Sequence, residues 1–164
     1  IDINPTAIDL FNIARPNDVN LCTTIDENKS EFKFYFDHPF SPVNTLDEEF
    51  YKSFKKSYYQ KFKRESFVGD KIKIIKSKTI DEILEISKLN TEIDFLNIDI
   101  EGMDLKIIKQ LIPKKIAPQL VSIETHDPDE NKLRDCDAIN DFLKLNKYSV
   151  FKRVGPTTLF SKKS

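Results

Sequence analysis

The sequence predicts an α/β domain with a mostly parallel sheet and an antiparallel hairpin at its end. Three observations predict this class: strands alternate with helices, the most apolar strands lie in the middle of the chain, and two strands close it. Residues 93–100 are almost continuously apolar, which is typical of a strand buried on both faces. Because 164 residues suffice for one ordinary domain, we expect residues 1–164 to fold as a single domain.

The first half of the chain is predicted to contain three strand segments and two helices. Residues 1–3 end a strand, and Thr6 caps a short helix whose apolar residues recur at helical spacing. Side chains alternate in character along residues 19–25 and 31–36, which predicts two strands. In 46–64 apolar and aromatic residues recur every four positions, which predicts an amphipathic helix. The inward positions of the two helices are Ala7, Leu10, Phe11, Ala14, Leu46, Phe50, Phe54, Tyr58 and Phe62.

The second half is predicted to alternate regularly between strands and helices. Thr79 and Glu82 form a capping-box pattern, which marks the start of a helix. The other helices are predicted at 104–112 and 133–145, and the strands at 72–75, 93–100, 120–124, 148–152 and 157–160.

Composition excludes several classes of partner. Lys and Arg number 26 and Asp and Glu 27, so the net charge of -1 argues against binding of nucleic acid or an anionic membrane. No apolar run approaches the roughly 20 residues that a membrane helix needs. The first residues do not resemble a secretory signal, so we expect a cytoplasmic protein. Cys22 and Cys136 are predicted to be buried free thiols.

Glycine content limits the ways in which a nucleotide-like ligand could be held. The chain has only 3 glycines, and their spacing forms neither a Walker loop nor a GxGxxG turn. Any such ligand would have to be bound by other groups, or by a segment that this chain does not contain.

Polar side chains follow the predicted strands where each strand ends. Asp2 ends the first strand, Asp99 and Glu101 follow the strand at 93–98, and Glu124 and His126 end the strand at 120–124. Ligands bind outside the carboxyl ends of strands in open α/β sheets. If the last two strands are neighbours, three carboxylates and an imidazole converge at one edge of the sheet.

Three interpretations of this cluster remain open. The carboxylates could cap a helix N-terminus, since Glu101 and Asp104 flank the start of the helix at 104–112, where the helix dipole favours negative charge. Asp99, Glu101 and Glu124 could hold a Mg-like ion, although no tight ligand motif supports a metal. Alternatively, the cluster is an active site in which a carboxylate or His126 takes a proton from a substrate hydroxyl. Gly102 supports the last interpretation because it lets the chain turn tightly beneath a ligand.

Residues 93–105, which read IDFLNIDIEGMDL, resemble the DFLKIDVEGAEL signature of FkbM-type methyltransferases. Further resemblances follow in the family's order: DINP at 2–5, TIDEIL at 79–84, VSIE at 121–124, NKY at 146–148 and TLF at 158–160. The resemblance covers nearly the whole chain, and its central motif is the most specific part.

The resemblance implies a Rossmann-like class I methyltransferase that uses S-adenosylmethionine. Such enzymes are usually O-methyltransferases, so the expected partner is a small-molecule or glycan acceptor, with a hydroxyl on a sugar or a secondary metabolite. Asp2 lies where the family's acidic residue holds the ribose hydroxyls. Asp99 and Glu101 lie where the cofactor's methionine part and the acceptor bind, and Glu124 and His126 could bind the acceptor or its metal.

The chain departs from the family's pattern in three places. Asn97 replaces the usual Lys, Asn146 replaces the usual Gly, and the glycine-rich first strand is absent. We therefore expect the chain to be the C-terminal portion of a longer protein whose sheet contains a further strand. The segment 46–64 is a helical insertion, and it is a candidate lid over the acceptor site.

Two other functions remain as alternatives. Asp99 and Glu101 could clamp a metal and the diphosphate of a nucleotide sugar in a glycosyltransferase. The chain could instead be a non-catalytic remnant that binds a partner. In addition, lysines interleave with six aromatic residues between 50 and 62, a pattern that could stack on nucleic-acid bases, although an amphipathic helix explains it more simply.

Overall fold

The protein is described by a computed structural model that covers residues 1–28, 30–39, 41, 44–62, 71–89, 93–100, 103–114, 117–127 and 129–163. It is a mixed α/β chain that divides into two compact units, Ile1–Ser87 and Lys88–Ser164. The helices are α1 (Pro5–Ala14), α2 (Glu48–Phe62), α3 (Ile80–Ser87), α4 (Asp104–Leu111) and α5 (Cys136–Leu145). The strands are β1 (Thr24–Ile25), β2 (Glu31–Phe36), β3 (Lys71–Lys78), β4 (Phe95–Ile98), β5 (Leu120–Glu124), β6 (Tyr148–Val154) and β7 (Thr157–Lys162).

The first unit contains a three-stranded sheet in the order β1-β3-β2. β1 is parallel to β3, and β2 is antiparallel to β3. An isolated parallel bridge joins Asp2 to Cys22. The segment predicted as a strand at 19–25 is therefore reduced to this bridge and the two residues of β1, and Cys22 is exposed rather than buried.

Aromatic side chains form the core around β2. Phe34 and Phe36 are buried with ring centroids 5.8 Å apart. Tyr35 is also buried, and its ring lies 5.2 Å from that of Tyr51 on α2. Both faces of the end of β2 are therefore covered, which explains why three consecutive aromatic residues are tolerated there.

The predicted inward faces of α1 and α2 are wrong in part. In α1 only Ile8 is buried, whereas Leu10 and Phe11 are exposed. In α2 Tyr51 is 4% exposed but Phe50 is 44% exposed. A period of four residues drifts around a helix that has 3.6 residues per turn, which explains why Phe50 lies off the buried face. The side chains of Tyr58 and Phe62, from the same predicted series, lie outside the described residues.

The starts of α1 and α3 show two different N-terminal caps. α1 begins at Pro5 and is capped by the side chain of Asn4, which accepts a hydrogen bond from Thr6 N at 3.0 Å, so the prediction of Thr6 as the cap is wrong. The capping box before α3 is confirmed. Thr79 N donates to Glu82 Oε2 at 3.0 Å, and Glu82 N donates to Thr79 Oγ1 at 3.2 Å.

The second unit contains a four-stranded sheet in the order β4-β5-β7-β6. β4 and β5 are parallel, whereas β7 is antiparallel to both β5 and β6, which confirms the final hairpin. Val121 and Ile123 on β5 are fully buried. The helices contribute the buried side chains of Ile107, Ile108 and Leu111 from α4, and of Cys136, Ile139 and Leu143 from α5.

The hairpin is fixed at its turn and at its base. Gly155 has a φ of 57°, a left-handed conformation that glycine adopts without the strain of a side chain. At the base, the buried hydroxyl of Tyr148 donates to Pro118 O at 2.5 Å, and burial raises the pKa of Tyr148 to about 12.

The prediction of a mostly parallel sheet is not confirmed. Among the described strands two pairings are parallel and three are antiparallel. The prediction that β4 is buried on both faces is also wrong, because Phe95 is 53% exposed and Asn97 is exposed. Within the described part of its sheet, β4 pairs only with β5 and lies at the edge. No helix in the described ranges is long and apolar enough to span a membrane.

Candidate active site

The carboxyl ends of β4 and β5 lie side by side in the second unit. Their last registered pair is Ile98 with Ile123, and both side chains are buried. Asp99 follows Ile98 and is exposed, and Glu124 follows Ile123 and is partly buried. Because successive side chains of a strand point to opposite faces, Glu124 lies on the face opposite Ile123, and Asp99 is the first residue beyond the end of β4. The structure therefore brings these two carboxylates to neighbouring strand ends.

Two hydrogen bonds join Ile100, which follows Asp99, to the start of α4. Met103 N donates to Ile100 O at 3.0 Å, and Ile100 N donates to the carboxylate of Asp104 at 3.3 Å. Asp104 is buried at the first turn of α4, where a negative charge is favoured by the helix dipole. Glu101 and Gly102 lie outside the described residues. Of the two acidic residues predicted to flank this helix terminus, the described structure therefore places Asp104 there.

His126 is anchored by the hairpin turn that crosses the end of β5. Pro156 O accepts hydrogen bonds from Thr125 N at 3.0 Å and from His126 N at 3.2 Å. Leu133 N donates to Thr125 O at 2.9 Å, and His126 forms an isolated antiparallel bridge with Lys132. The backbone on both sides of the imidazole is thus fixed.

The imidazole of His126 also belongs to a chain of side-chain hydrogen bonds. Its Nδ1 lies 2.8 Å from Thr125 Oγ1, which lies 2.6 Å from Thr158 Oγ1. Thr125 is 0% exposed and Thr158 is 5% exposed. These two hydroxyls therefore hold the ring through Nδ1, and the other nitrogen, Nε2, has no hydrogen-bond partner among the described residues.

The turn after His126 is stabilised by Asp127. Its Oδ1 accepts a hydrogen bond from Asn131 N at 2.9 Å, and its Oδ2 accepts one from Asn131 Nδ2 at 3.0 Å. These bonds favour the ionised carboxylate, so they lower the pKa of Asp127 below its ordinary value.

Asp2 belongs to the first unit, where a strand end meets the start of α1. Its backbone pairs with that of the Cys22 segment, since Asp2 N donates to Leu21 O and Thr23 N donates to Asp2 O, both at 3.1 Å. Its Oδ1 accepts a hydrogen bond from Asn4 N at 2.7 Å. One carboxylate oxygen is thereby fixed, while the other has no hydrogen-bond donor among the described residues.

Asn4 connects three parts of the first unit. Its backbone N–H holds Asp2, its Oδ1 caps α1, and its Nδ2 donates to Pro39 O at 2.7 Å. The loop that carries His38 and Pro39 is therefore attached to the segment that presents the Asp2 carboxylate.

The metal hypothesis gains no support from the described residues. Among them, no three His, Cys, Asp or Glu side chains are grouped so as to hold a metal ion. The predicted triad of Asp99, Glu101 and Glu124 includes one residue that lies outside the described ranges, so only Asp99 and Glu124 of that set are placed.

Sequence reasoning missed Asn4, Thr125 and Thr158. A signal existed for Asn4, because Asn followed by Pro is a favoured start of a helix. For Thr125 the signal was weak: its alternation with Glu124 and His126 indicated a core position, but not a polar partner. The contact with Thr158 joins residues 33 positions apart and depends on the strand register, which no local pattern reveals.

These features define an α/β domain that presents polar side chains at the carboxyl ends of neighbouring parallel strands, the usual position of ligand sites in this class. The family profile of the Methyltransferase FkbM domain matches residues 2–150. The match covers most of the chain, which therefore belongs to the FkbM methyltransferase family. No curated protein matches the chain, and no solved structure matches it.

Proposed function

We propose that the protein is an S-adenosylmethionine-dependent O-methyltransferase that acts on a hydroxyl of a sugar or secondary-metabolite acceptor, either a small molecule or a glycan. The single observation that carries this proposal is the position of Asp99, inside the family match and exposed at the end of β4. That position combines a carboxylate with a strand end at which ligands of α/β domains bind.

Asp2 has the donor and acceptor chemistry that the cofactor's ribose requires. A vicinal diol offers two O–H donors, and an ionised carboxylate offers two acceptor oxygens. Asn4 N fixes one of these oxygens and orients the carboxylate without occupying the other. We therefore assign Asp2 to the ribose hydroxyls, and Asp99 and Glu101 to the methionine part of the cofactor.

The cofactor supplies a methyl group on a positively charged sulfur, which becomes a neutral thioether once the methyl carbon is bonded to the acceptor oxygen. The chain's own residues have to orient the acceptor hydroxyl and remove its proton. Asp99, Glu101 and His126 are the candidate catalytic residues for these tasks, because a positioned carboxylate or imidazole can accept the proton of a hydroxyl. Positioning of the acceptor oxygen supplies much of the remaining rate enhancement.

Two further parts of the proposal concern architecture. We propose that residues 1–164 belong to one methyltransferase-like domain with a Rossmann-like sheet. Among the described strands β4 pairs only with β5, which leaves room for a further strand at its other edge. We also propose that segment 46–64, observed as α2 over Glu48–Phe62, acts as a lid over the acceptor. A cytoplasmic location is part of the same proposal.

Calorimetric titration with S-adenosylhomocysteine, the expected product, tests the cofactor assignment. The unaltered protein should bind it, and Asp2→Ala should weaken binding at least tenfold, since the lost hydrogen bonds involve a charged group. Asp9→Ala is the matched control, because Asp9 is an exposed carboxylate on α1. No binding by the unaltered protein, or equal affinity of both variants, would contradict the assignment.

A further inference from the structure

Two hydrogen bonds connect Thr158 to Thr125 and Thr125 to His126. The number of hydrogens that each group can donate determines which group is the donor in each bond. A threonine hydroxyl has one hydrogen to donate and lone pairs with which to accept, and a neutral imidazole has one N–H and one bare nitrogen. Thr158 Oγ1 is buried, and within the described structure Thr125 Oγ1 is its one hydrogen-bond partner. A buried hydroxyl left without an acceptor is costly, so Thr158 donates its hydrogen to Thr125.

The donor in the first hydrogen bond also determines the donor in the second, which involves the imidazole. Thr125 Oγ1 accepts from Thr158 and donates its own hydrogen to His126 Nδ1, 2.8 Å away. Nδ1 is then the acceptor, so the hydrogen of the neutral ring is on Nε2. The opposite direction would start at an Nδ1–H and would leave the hydrogen of Thr158 without an acceptor among the described residues.

The Nε2 edge is available to a ligand. Within the described ranges, the side-chain nitrogens and oxygens that are buried without a partner belong to Asp37 and Gln110, so Nε2 of His126 is not enclosed. No hydrogen bond or ion pair to Nε2 is formed within those ranges either. The ring therefore presents an N–H donor at a fixed position just beyond the end of β5, the strand that pairs with β4.

We propose that His126 is a hydrogen-bond donor to the acceptor oxygen and that Asp99 takes the proton, with Thr125 and Thr158 as positioning residues. This inference rests on the proposed methyltransferase function and divides its chemistry between two side chains. The acceptor oxygen forms a bond to the methyl carbon as the bond between that carbon and sulfur breaks. The proton of the acceptor hydroxyl passes to the Asp99 carboxylate, while the hydrogen on Nε2 stays on His126.

Nitrogen NMR of the imidazole in the ligand-free protein tests which group donates in these hydrogen bonds. At a pH where His126 is neutral, we expect its Nδ1 resonance to be that of a bare, hydrogen-bonded nitrogen and its Nε2 that of an N–H. Thr125→Val should shift the Nδ1 resonance because its donor is lost, and Thr125→Ser should restore it. A protonated Nδ1 in the unaltered protein would overturn the proposal.

Thr158→Val separates the two possible directions. If Thr158 donates to Thr125, its removal leaves Thr125 still able to donate to Nδ1, and the tautomer of His126 should not change. If the chain ran from Nδ1 toward Thr158, the same variant would remove the terminal acceptor and change the tautomer. Amide spectra of each variant establish that the surrounding fold is retained.

Substitution of His126 itself tests its role toward the acceptor. The side-chain amide of Gln can place an N–H near the position of Nε2, but it cannot act as a base. We expect His126→Gln to keep kcat within about tenfold of the unaltered enzyme, and His126→Ala to lose roughly a hundredfold or more, as when an oxyanion donor is removed. Equal losses in both variants would show that His126 is the base and would overturn the proposal.

The two measurements distinguish failure of this inference from failure of the proposed function. If the unaltered protein transfers no methyl group to any hydroxyl acceptor, the proposed function fails and the role toward the acceptor fails with it. The NMR result still decides the tautomer in that case, because it requires neither cofactor nor acceptor.

Discussion

Asp99 is exposed and directly follows a strand whose final residue is buried. Ile98 is 3% exposed and anchors the strand end, so its packing fixes the backbone that carries Asp99. A substitution that keeps its size should therefore leave the fold intact, which makes this residue suitable for a chemical test.

We predict that Asp99→Asn lowers kcat for methyl transfer by two to four orders of magnitude, the usual contribution of a positioned base, on the order of 10²–10⁴. The thermal midpoint should stay within about 2 °C, because exposed substitutions rarely change stability much. Asp94→Asn is the matched control, since Asp94 is an exposed carboxylate just before β4. An active Asp99→Asn enzyme would remove this residue from the mechanism.

Asp127 makes the stability of the second unit depend on pH. Hydrogen bonds from Asn131 lower the pKa of Asp127 in the folded protein below its ordinary value of 3.8. The stabilisation is fully present above the unfolded value and is lost as the pH falls through the lower, folded value. Asp127→Ala should therefore be less stable than the unaltered protein at pH 6, and urea titrations should show that difference shrinking below about pH 4. A difference that is constant across this range would contradict the assignment.

At the scale of elements, Asn4 joins a strand end, a helix start and a loop through three hydrogen bonds. Asn4→Ala should destabilise the protein by about 1 kcal/mol or more, because a helix cap is lost. Asn4→Asp keeps the capping oxygen but loses the donor to Pro39 O, so it should retain most of the stability. Urea unfolding of the pair separates the cap from the loop attachment, and equal losses would show that the cap contributes little.

The buried face of α2 gives a second test at this scale. Tyr51 packs its ring on Tyr35 and is buried, whereas Phe50 beside it is largely exposed. Tyr51→Ala should cost about 3 kcal/mol, as large-to-small changes of buried aromatics do, and Phe50→Ala less than about 1 kcal/mol. Chemical denaturation measures both values. A larger loss of stability for Phe50→Ala than for Tyr51→Ala would show that the predicted inward position of Phe50 was right.

At the scale of the whole molecule, the predictions from sequence were correct where they depended on residues close together in the chain. The capping box of Thr79, the strand at 31–36 and the final hairpin each depend on residues close in sequence, and all three are observed. The exposure of Phe95 on β4 was not predictable, because an apolar run does not reveal whether its strand has one neighbour or two. The contact between Thr125 and Thr158 was not predictable either, because it depends on the register between β5 and β7, which are far apart in the sequence.

The net charge leads to a prediction for the protein as a whole. A chain with 26 basic and 27 acidic residues has little general attraction for phosphate, even though α2 combines lysines with aromatic side chains. Lys52 Nζ lies 2.5 Å from Glu48 Oε1, and Lys55 Nζ lies 5.6 Å from the centroid of the Tyr51 ring. We therefore expect no binding of single-stranded DNA or RNA oligonucleotides by fluorescence anisotropy at physiological salt. Micromolar affinity that falls steeply with added salt would contradict this, because such a slope marks displacement of counterions from phosphate. It would also turn α2 from a proposed lid into a stacking surface for bases.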